Sequence, residues 1–144
     1  YGEVLKENNI ELIIKKDFIN LESENDAIVM VNNYLSDDEY NKIYREIDIV
    51  LMLFPKDYKY RCSGTIIDAF SYNKKVISSP ILEAVSYKKK FPDICTTYNS
   101  LDEIIDLILE MNELPKDGFD KFKSEYLGIE SRCAERICEV SSEY

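Results

Sequence analysis

Short apolar runs alternate with amphipathic stretches along the chain. The longest run, D-I-V-L-M-L-F at 48–54, is apolar after its first position, which is typical of a strand that a parallel sheet buries on both faces. The pattern predicts five strands: I-E-L-I-I at 10–14, A-I-V-M-V at 27–31, the run at 48–54, K-V-I-S-S at 75–79 and I-C-T-T-Y at 94–98.

Helix start signals stand between these runs. In L-S-D-D-E-Y, Ser36 and Glu39 have the spacing of a capping box, in which each residue satisfies the backbone N–H of the other. The same pair recurs at Ser100 and Glu103, and Pro115 ends the apolar stripe that follows. Helices are therefore predicted after both pairs, and two more are predicted in Y-G-E-V-L-K-E at the start of the chain and over 129–140 near its end.

Strands that alternate with helices predict right-handed βαβ crossovers. The expected fold is α/β, a Rossmann-like doubly wound parallel sheet of about five strands with helices on both faces. Because 144 residues suffice for one core and no linker or repeat is visible, 1–144 is expected to form a single domain. Such sheets bind ligands beyond the carboxyl ends of their strands, which points to the loops at 32–35 and 55–64.

The charge of the chain restricts its partners. The 28 acidic and 18 basic residues give a net charge of −10, which argues against binding to a nucleic-acid backbone. No apolar run reaches the roughly 20 residues of a membrane span, and the N-terminus has no signal-peptide pattern. We expect a cytoplasmic location, with a peripheral membrane location allowed for a longer protein.

Cysteines and histidines offer little chemistry. There is no histidine, and the four cysteines form no C-x-x-C pair, so neither a metal site nor a cofactor is predicted. We predict that all four are small buried apolar side chains, at Cys62, Cys95, Cys133 and Cys138.

The stretch C-S-G-T-I-I-D-A-F at 62–70 has two interpretations. Gly64 allows close approach of the backbone, and the N–H groups of the helix start could hold an anion such as a diphosphate. Alternatively, Thr65 and Asp68 have the spacing of another capping box and mark only a helix start. The spacing alone favours the helix start, and neither a Walker motif nor G-x-G-x-x-G is present.

A family resemblance favours the anion site. Y-L-S-D-D-E-Y, Y-R-E-I-D-I-V-L-M-L-F-P and S-G-T-I-I-D-A-F-S-Y-N-K-K-V-I-S-S, in this order, resemble the C-terminal, donor-binding half of GT-B glycosyltransferases. Within that fold they are similar to the retaining group that includes many bacterial transferases of polysaccharide and lipopolysaccharide synthesis. The similarity covers roughly residues 28–113.

The resemblance implies roles for particular residues. Ser63, Gly64 and Thr65 match the turn that binds the donor diphosphate, and Asp68 matches the acid that binds the nucleotide ribose. Tyr60 stands where many members carry an acid that handles the donor sugar, so the chain departs from the family there.

Further implied positions lie on either side of this turn. Tyr34 and Leu35 match the loop that borders the base, and Asn73 replaces a glycine at a helix end where the left-handed conformation is expected. The diphosphate-binding basic residues and the first strand of this half would precede Tyr1. No D-x-D trio is present, and no metal is expected.

The resemblance predicts the donor-binding half of a hexosyltransferase. The parent enzyme would move a sugar from a nucleotide diphosphate sugar to a glycan or lipid-linked acceptor, with an N-terminal acceptor domain as its partner. No residue is assigned as catalytic. One alternative is a noncatalytic donor-domain subunit that needs a separate acceptor chain. Another is a receiver-like signalling domain, which D-I-V-L-M resembles, although Leu53, Phe54 and Pro55 stand where its phosphate-accepting aspartate would be.

Overall fold

Short helices and short strands follow one another along the chain. The computed structural model describes residues 2–15, 25–32, 34–60 and 62–127. The helices are α1 (Gly2–Glu7), α2 (Asp37–Glu46), α3 (Gly64–Ser71), α4 (Leu82–Lys90), α5 (Ile104–Glu113) and α6 (Asp117–Phe122). The strands are β1 (Leu12–Lys15), β2 (Ile28–Val31), β3 (Ile49–Met52), β4 (Lys75–Ser78) and β5 (Cys95–Thr97). The helix predicted at 129–140, with Cys133 and Cys138, lies outside the described residues.

The strands pair in two small parallel sheets. β1 pairs with β2, and β4 lies between β3 and β5, with every pairing parallel. The α/β class is therefore confirmed. One doubly wound sheet of about five strands is not shown and stays a prediction. None of the described helices has the length and apolar character needed to cross a membrane.

The chain divides into two compact units, Tyr1–Ile43 and Tyr44–Tyr144. In the first unit, Leu12 of β1 lies opposite Ile28 of β2. The capping box before α2 is confirmed, since Ser36 N donates to Glu39 Oε2 at 2.8 Å and Glu39 N donates to Ser36 Oγ at 3.4 Å. The Ser36 hydroxyl also donates to Glu39 Oε2, at 2.7 Å, and the hydrogen bonds from the Ser36 N–H and hydroxyl lower the pKa of the Glu39 carboxyl.

The second unit is organised around β4. All four side chains of this strand are buried, so both of its faces are covered, as in the middle strand of a parallel sheet. Its first residue, Lys75, is nevertheless charged. The Lys75 Nζ donates to the carbonyls of Met111 at 2.5 Å and Leu114 at 2.6 Å, and so caps the C-terminus of α5. Burial lowers the pKa of this ammonium group.

An aromatic cluster fixes α3 against two other helices. Phe70 of α3 lies 4.9 Å from Phe122 of α6 and 5.3 Å from Tyr87 of α4, measured between ring centroids. Phe70 and Phe122 are fully buried, and burial raises the pKa of Tyr87 to about 12. Edge-to-face aromatic pairs of this kind add about 0.5–1.5 kcal/mol each beyond their buried area. The cluster therefore holds α3, and with it the start of that helix, in a fixed position.

The two helix ends named in the sequence behave differently. Asn73 has φ 57° just after α3, so the left-handed conformation expected there is confirmed. The capping box predicted at Ser100 and Glu103 is shifted by a 3₁₀ turn, Leu101–Glu103, that precedes α5. Ser100 Oγ accepts from Asp102 N at 3.3 Å, and Glu103 Oε2 accepts from Asn99 N at 3.0 Å, because the tighter turn moves each donor by one residue.

Candidate functional site

One serine joins the carboxyl ends of three strands. Ser79, directly after β4, donates its backbone N–H to Met52 O of β3 at 2.9 Å. Its Oγ accepts from Phe54 N at 2.8 Å and lies 2.7 Å from the hydroxyl of Tyr98, which follows β5. The edge at which parallel sheets bind ligands is thus held together by hydrogen bonds, and the loop leaving β3 starts from a defined position.

The loop after β3 contains a 3₁₀ turn, Lys56–Tyr60. Phe54 stacks on Tyr58 with ring centroids 4.4 Å apart and an interplanar angle of 4°, which ties the turn to the start of the loop. Tyr60 ends the turn with 78% of its surface exposed, and the Lys59 ammonium lies 5.7 Å from its ring centroid. Tyr60 is therefore accessible at the carboxyl edge.

The start of α3 lacks a side-chain cap. The helix begins at Gly64, and Ser63 is its N-cap residue with extended backbone angles but no side-chain capping hydrogen bond. The capping box considered for Thr65 and Asp68 does not form, because Thr65 already lies inside the first turn of the helix. That interpretation was wrong in register, and the side chain of the actual N-cap residue, Ser63, makes no capping hydrogen bond within the described ranges.

The first N–H groups of α3 are available as donors. The N–H groups of Gly64 and Thr65 have no acceptor among the residues that the structure describes, as expected for the first turn of an uncapped helix. Both residues are exposed. Ser63 is only 5% exposed, yet its hydroxyl also makes no hydrogen bond within the described part of the chain. Since no fully buried side-chain oxygen there lacks a partner, the Ser63 hydroxyl must reach solvent.

Gly64 is not required by the fold. A Cβ added at this position would meet no atom of the described residues within 4 Å, and no described glycine has a positive φ. Glycine is usual where a backbone needs the left-handed region or where something approaches it closely. Neither the backbone conformation nor the packing of the chain itself explains this glycine. The space above it is open to a molecule from outside.

A carboxylate that the sequence did not point to lies beside this turn. Glu83 Oε2 accepts the backbone N–H of Ser63 at 2.6 Å. Glu83 is in the first turn of α4, the helix that follows the neighbouring strand β4. In parallel βα units, successive helices start at the same edge of the sheet. An acidic residue in the first turn of the following helix was therefore the sequence signal that could have pointed to Glu83.

Asp68 occupies the face of α3 that carries Gly64. It comes four residues after Gly64, a spacing that places two residues on the same side of a helix, about 6 Å apart along the axis. Asp68 is exposed. Ser63 is thus the N-cap residue of α3, and Gly64, Thr65 and Asp68 lie in its first two turns.

Tyr34 and Leu35 belong to the other compact unit. Tyr34 is 87% exposed and Leu35 is half-buried. Both lie within Tyr1–Ile43, whereas the turn at 62–65 lies within Tyr44–Tyr144. A shared site of these two loops remains a prediction.

The two described cysteines differ from each other. Cys95 is buried as predicted, its Sγ donates to Ala84 O at 3.7 Å, and burial raises the pKa of its thiol to about 12. The prediction of a buried side chain is wrong for Cys62, which is exposed. Its position in the loop, two residues before the start of α3, leaves it outside the core. Within the described ranges, no group of three or more potential ligands could hold a metal ion.

A surface groove of about 450 Å³ lies elsewhere, beside Phe91, Asp93 and Gly118. These residues precede β5 and start α6, so the groove is near the amino end of the sheet and not at the turn.

No family model, curated protein or solved structure matches the chain in the comparisons made with known proteins. The site must therefore be interpreted from its own chemistry.

Proposed function

We propose that this chain is the donor-binding part of a glycosyltransferase of the GT-B type, with a nucleotide diphosphate sugar as its donor. In this proposal the diphosphate lies over Gly64 and accepts hydrogen bonds from the N–H groups of Gly64 and Thr65 and from the Ser63 hydroxyl. The single observation that carries it is the open space above a glycine that the fold itself does not need. The order of the sequence segments that resemble the family supplies the ligand class.

The chemistry of the turn suits a departing diphosphate. When the glycosidic bond to the donor breaks, negative charge develops on the leaving diphosphate. Backbone donors and a helix N-terminus, fixed in advance by the fold, stabilise that charge without having to reorganise. The turn thus assists the reaction by binding and charge stabilisation, while acceptor recognition and any general base are proposed to come from an acceptor domain.

The turn alone cannot supply the whole affinity. A helix N-terminus contributes about 0.3–2 kcal/mol toward a nearby negative charge, whereas micromolar binding needs about 8 kcal/mol. Asp68, one helical turn further on, is proposed to accept hydrogen bonds from the ribose. The exposed ring of Tyr60 is proposed to lie beside the donor, and Tyr34 and Leu35 beside the base. The proposal also includes one doubly wound sheet of about five strands that brings these loops to one edge.

A nucleotide panel tests this function. Thermal unfolding is measured with UDP, GDP, ADP and CMP at millimolar concentration. We expect one nucleoside diphosphate to raise the melting temperature selectively, because a ligand at 100 times its dissociation constant stabilises the folded state by about 2.7 kcal/mol. If all four leave the melting temperature unchanged, the proposed function is wrong.

A further inference from the structure

Glu83 connects the starts of two helices. Its carboxylate lies in the first turn of α4 and accepts the N–H of Ser63, the N-cap residue of α3, over a distance of 2.6 Å. The two residues are 20 positions apart, so the contact is made by the fold and not by local sequence. A carboxylate between two helix N-termini is favoured by both, since each carries a partial positive charge. The hydrogen bond is charge-assisted, which makes it stronger than a neutral one.

Two observations separate from this bond indicate that the turn is built for a ligand. The Cβ position of Gly64 opens into space in which no atom of the described residues lies within 4 Å. Ser63 as a whole residue is only 5% exposed, yet its hydroxyl has no partner among the described residues and reaches solvent. The turn is therefore held by Glu83 on one side and open to solvent, and so to a ligand, on the other.

We propose that Glu83 is a positioning residue for this anion-binding turn. By holding the Ser63 N–H, it fixes the backbone at 63–65 so that the Ser63 hydroxyl and the N–H groups of Gly64 and Thr65 are oriented before the ligand arrives. The identity of the ligand, a nucleoside diphosphate, rests on the proposed function. The hold of Glu83 on the turn rests on the structure alone.

Substitutions separate positioning from charge. Glu83→Gln keeps a carbonyl oxygen at the same reach and removes the charge, so we expect it to bind the nucleoside diphosphate as tightly as the wild type or more tightly. Glu83→Ala removes the acceptor, and the turn must then be ordered by the ligand itself. We expect Glu83→Ala to weaken binding about tenfold, because fixing one residue has a free-energy cost of that order.

Asp93 provides a matched control. Its Oδ2 accepts the backbone N–H of Gly118 at the start of α6, also at 2.6 Å, but near the amino end of β5. Asp93→Ala therefore removes an equivalent carboxylate-to-backbone hydrogen bond far from the turn. We expect it to lower the melting temperature without a change in the dissociation constant of the nucleotide.

Calorimetry and amide exchange together decide the proposal. Calorimetric titration with the nucleoside diphosphate selected by the panel gives the dissociation constants of the wild type and the three variants. NMR hydrogen exchange of the ligand-free proteins gives the protection of the Ser63 amide. Support requires weaker binding by Glu83→Ala, recovery by Glu83→Gln and faster Ser63 exchange in Glu83→Ala only. Equal binding by Glu83→Ala, or tighter binding by both variants, overturns the positioning role.

The exchange measurement keeps the two proposals distinct. If the wild type binds no nucleoside diphosphate, the proposed function fails. A Ser63 amide that is protected in the wild type and exchanges faster in Glu83→Ala would still support the hold of Glu83 on the turn. An unchanged Ser63 exchange rate in Glu83→Ala overturns the positioning role whatever the ligand is.

Discussion

Replacement of Gly64 by alanine tests whether this glycine serves the ligand or the fold. The added Cβ meets no atom within 4 Å, and the backbone there is not in the positive-φ region, so the folded protein should accept it without strain. Alanine also reduces the conformational freedom of the unfolded chain, which stabilises by about 0.4–1 kcal/mol at a compatible position. For a chain of this size we expect the melting temperature of Gly64→Ala to rise by about 1–5 °C.

The same methyl group should impair binding. It occupies the space over the turn that a phosphate would use and weakens at least one charge-assisted hydrogen bond, each of which contributes about 1.5–3 kcal/mol. We therefore expect the dissociation constant for the nucleoside diphosphate to increase about 10- to 150-fold. Gly64→Val should weaken binding further, because its branched side chain fills more of this space. Calorimetric titration measures both changes, and thermal unfolding without ligand measures stability.

Gly118 is a matched control glycine, at which alanine should lower the stability and leave nucleotide affinity unchanged. A Cβ at Gly118 would lie 2.5 Å from Asp93 Oδ1 and 2.8 Å from Asp93 Oδ2, so the carboxylate must move and release the Gly118 N–H. Gly118→Ala should therefore lower stability by about 1–3 kcal/mol and leave nucleotide affinity unchanged. Strong destabilisation of the ligand-free protein by Gly64→Ala, or nucleotide binding as tight as that of the wild type, would contradict a role of Gly64 in ligand binding.

Three further predictions concern other residues. Asp68→Ala should weaken nucleotide binding about 10- to 150-fold in calorimetric titrations and abolish any preference for a ribonucleotide over its 2′-deoxy form. An undiminished preference would contradict the proposed contact of Asp68 with the ribose. A thiol reagent should modify Cys62 but not Cys95 in the folded protein, and nucleotide should slow the reaction at Cys62, as shown by mass spectrometry of peptides; modification of Cys95 at the same rate would disagree with its burial. Lys75→Met should lower the free energy of unfolding by about 2–3 kcal/mol in denaturant titrations, because two carbonyls at the end of α5 lose their donor. An unchanged unfolding midpoint would show that this cap does not stabilise the fold.

Local signals in the sequence predicted much of the fold. The capping box of Ser36 and Glu39 formed because both partners lie within one turn of chain, and Asn73 adopted the expected conformation because that preference belongs to the residue itself. The apolar runs identified where strands form. They did not show that the strands would pair in two sheets, because pairing depends on contacts between distant segments.

The contacts that organise the site were not predictable from spacing. Ser63 bonds Glu83, which is 20 residues away along the chain, and Ser79 bonds Phe54, which is 25 residues away. No periodic pattern in the sequence connects the members of either pair. Lys75 looked like the polar end of a weak strand, whereas it is buried and caps a helix 36 residues further on. When the hydrogen-bond partner of a polar side chain is distant in sequence, the neighbouring residues do not indicate which bond that side chain will make.

The central claim is that a nucleoside diphosphate binds over the start of α3. Its most direct test is titration of the uniformly ¹⁵N-labelled chain with UDP, GDP and ADP, followed by amide chemical shifts. We expect one of them to shift the amide signals of Ser63, Gly64 and Thr65 most strongly and to saturation, with the next largest shift at Asp68. Signals at these positions that stay unchanged at millimolar nucleotide, or that move less than those around Gly118, would contradict it.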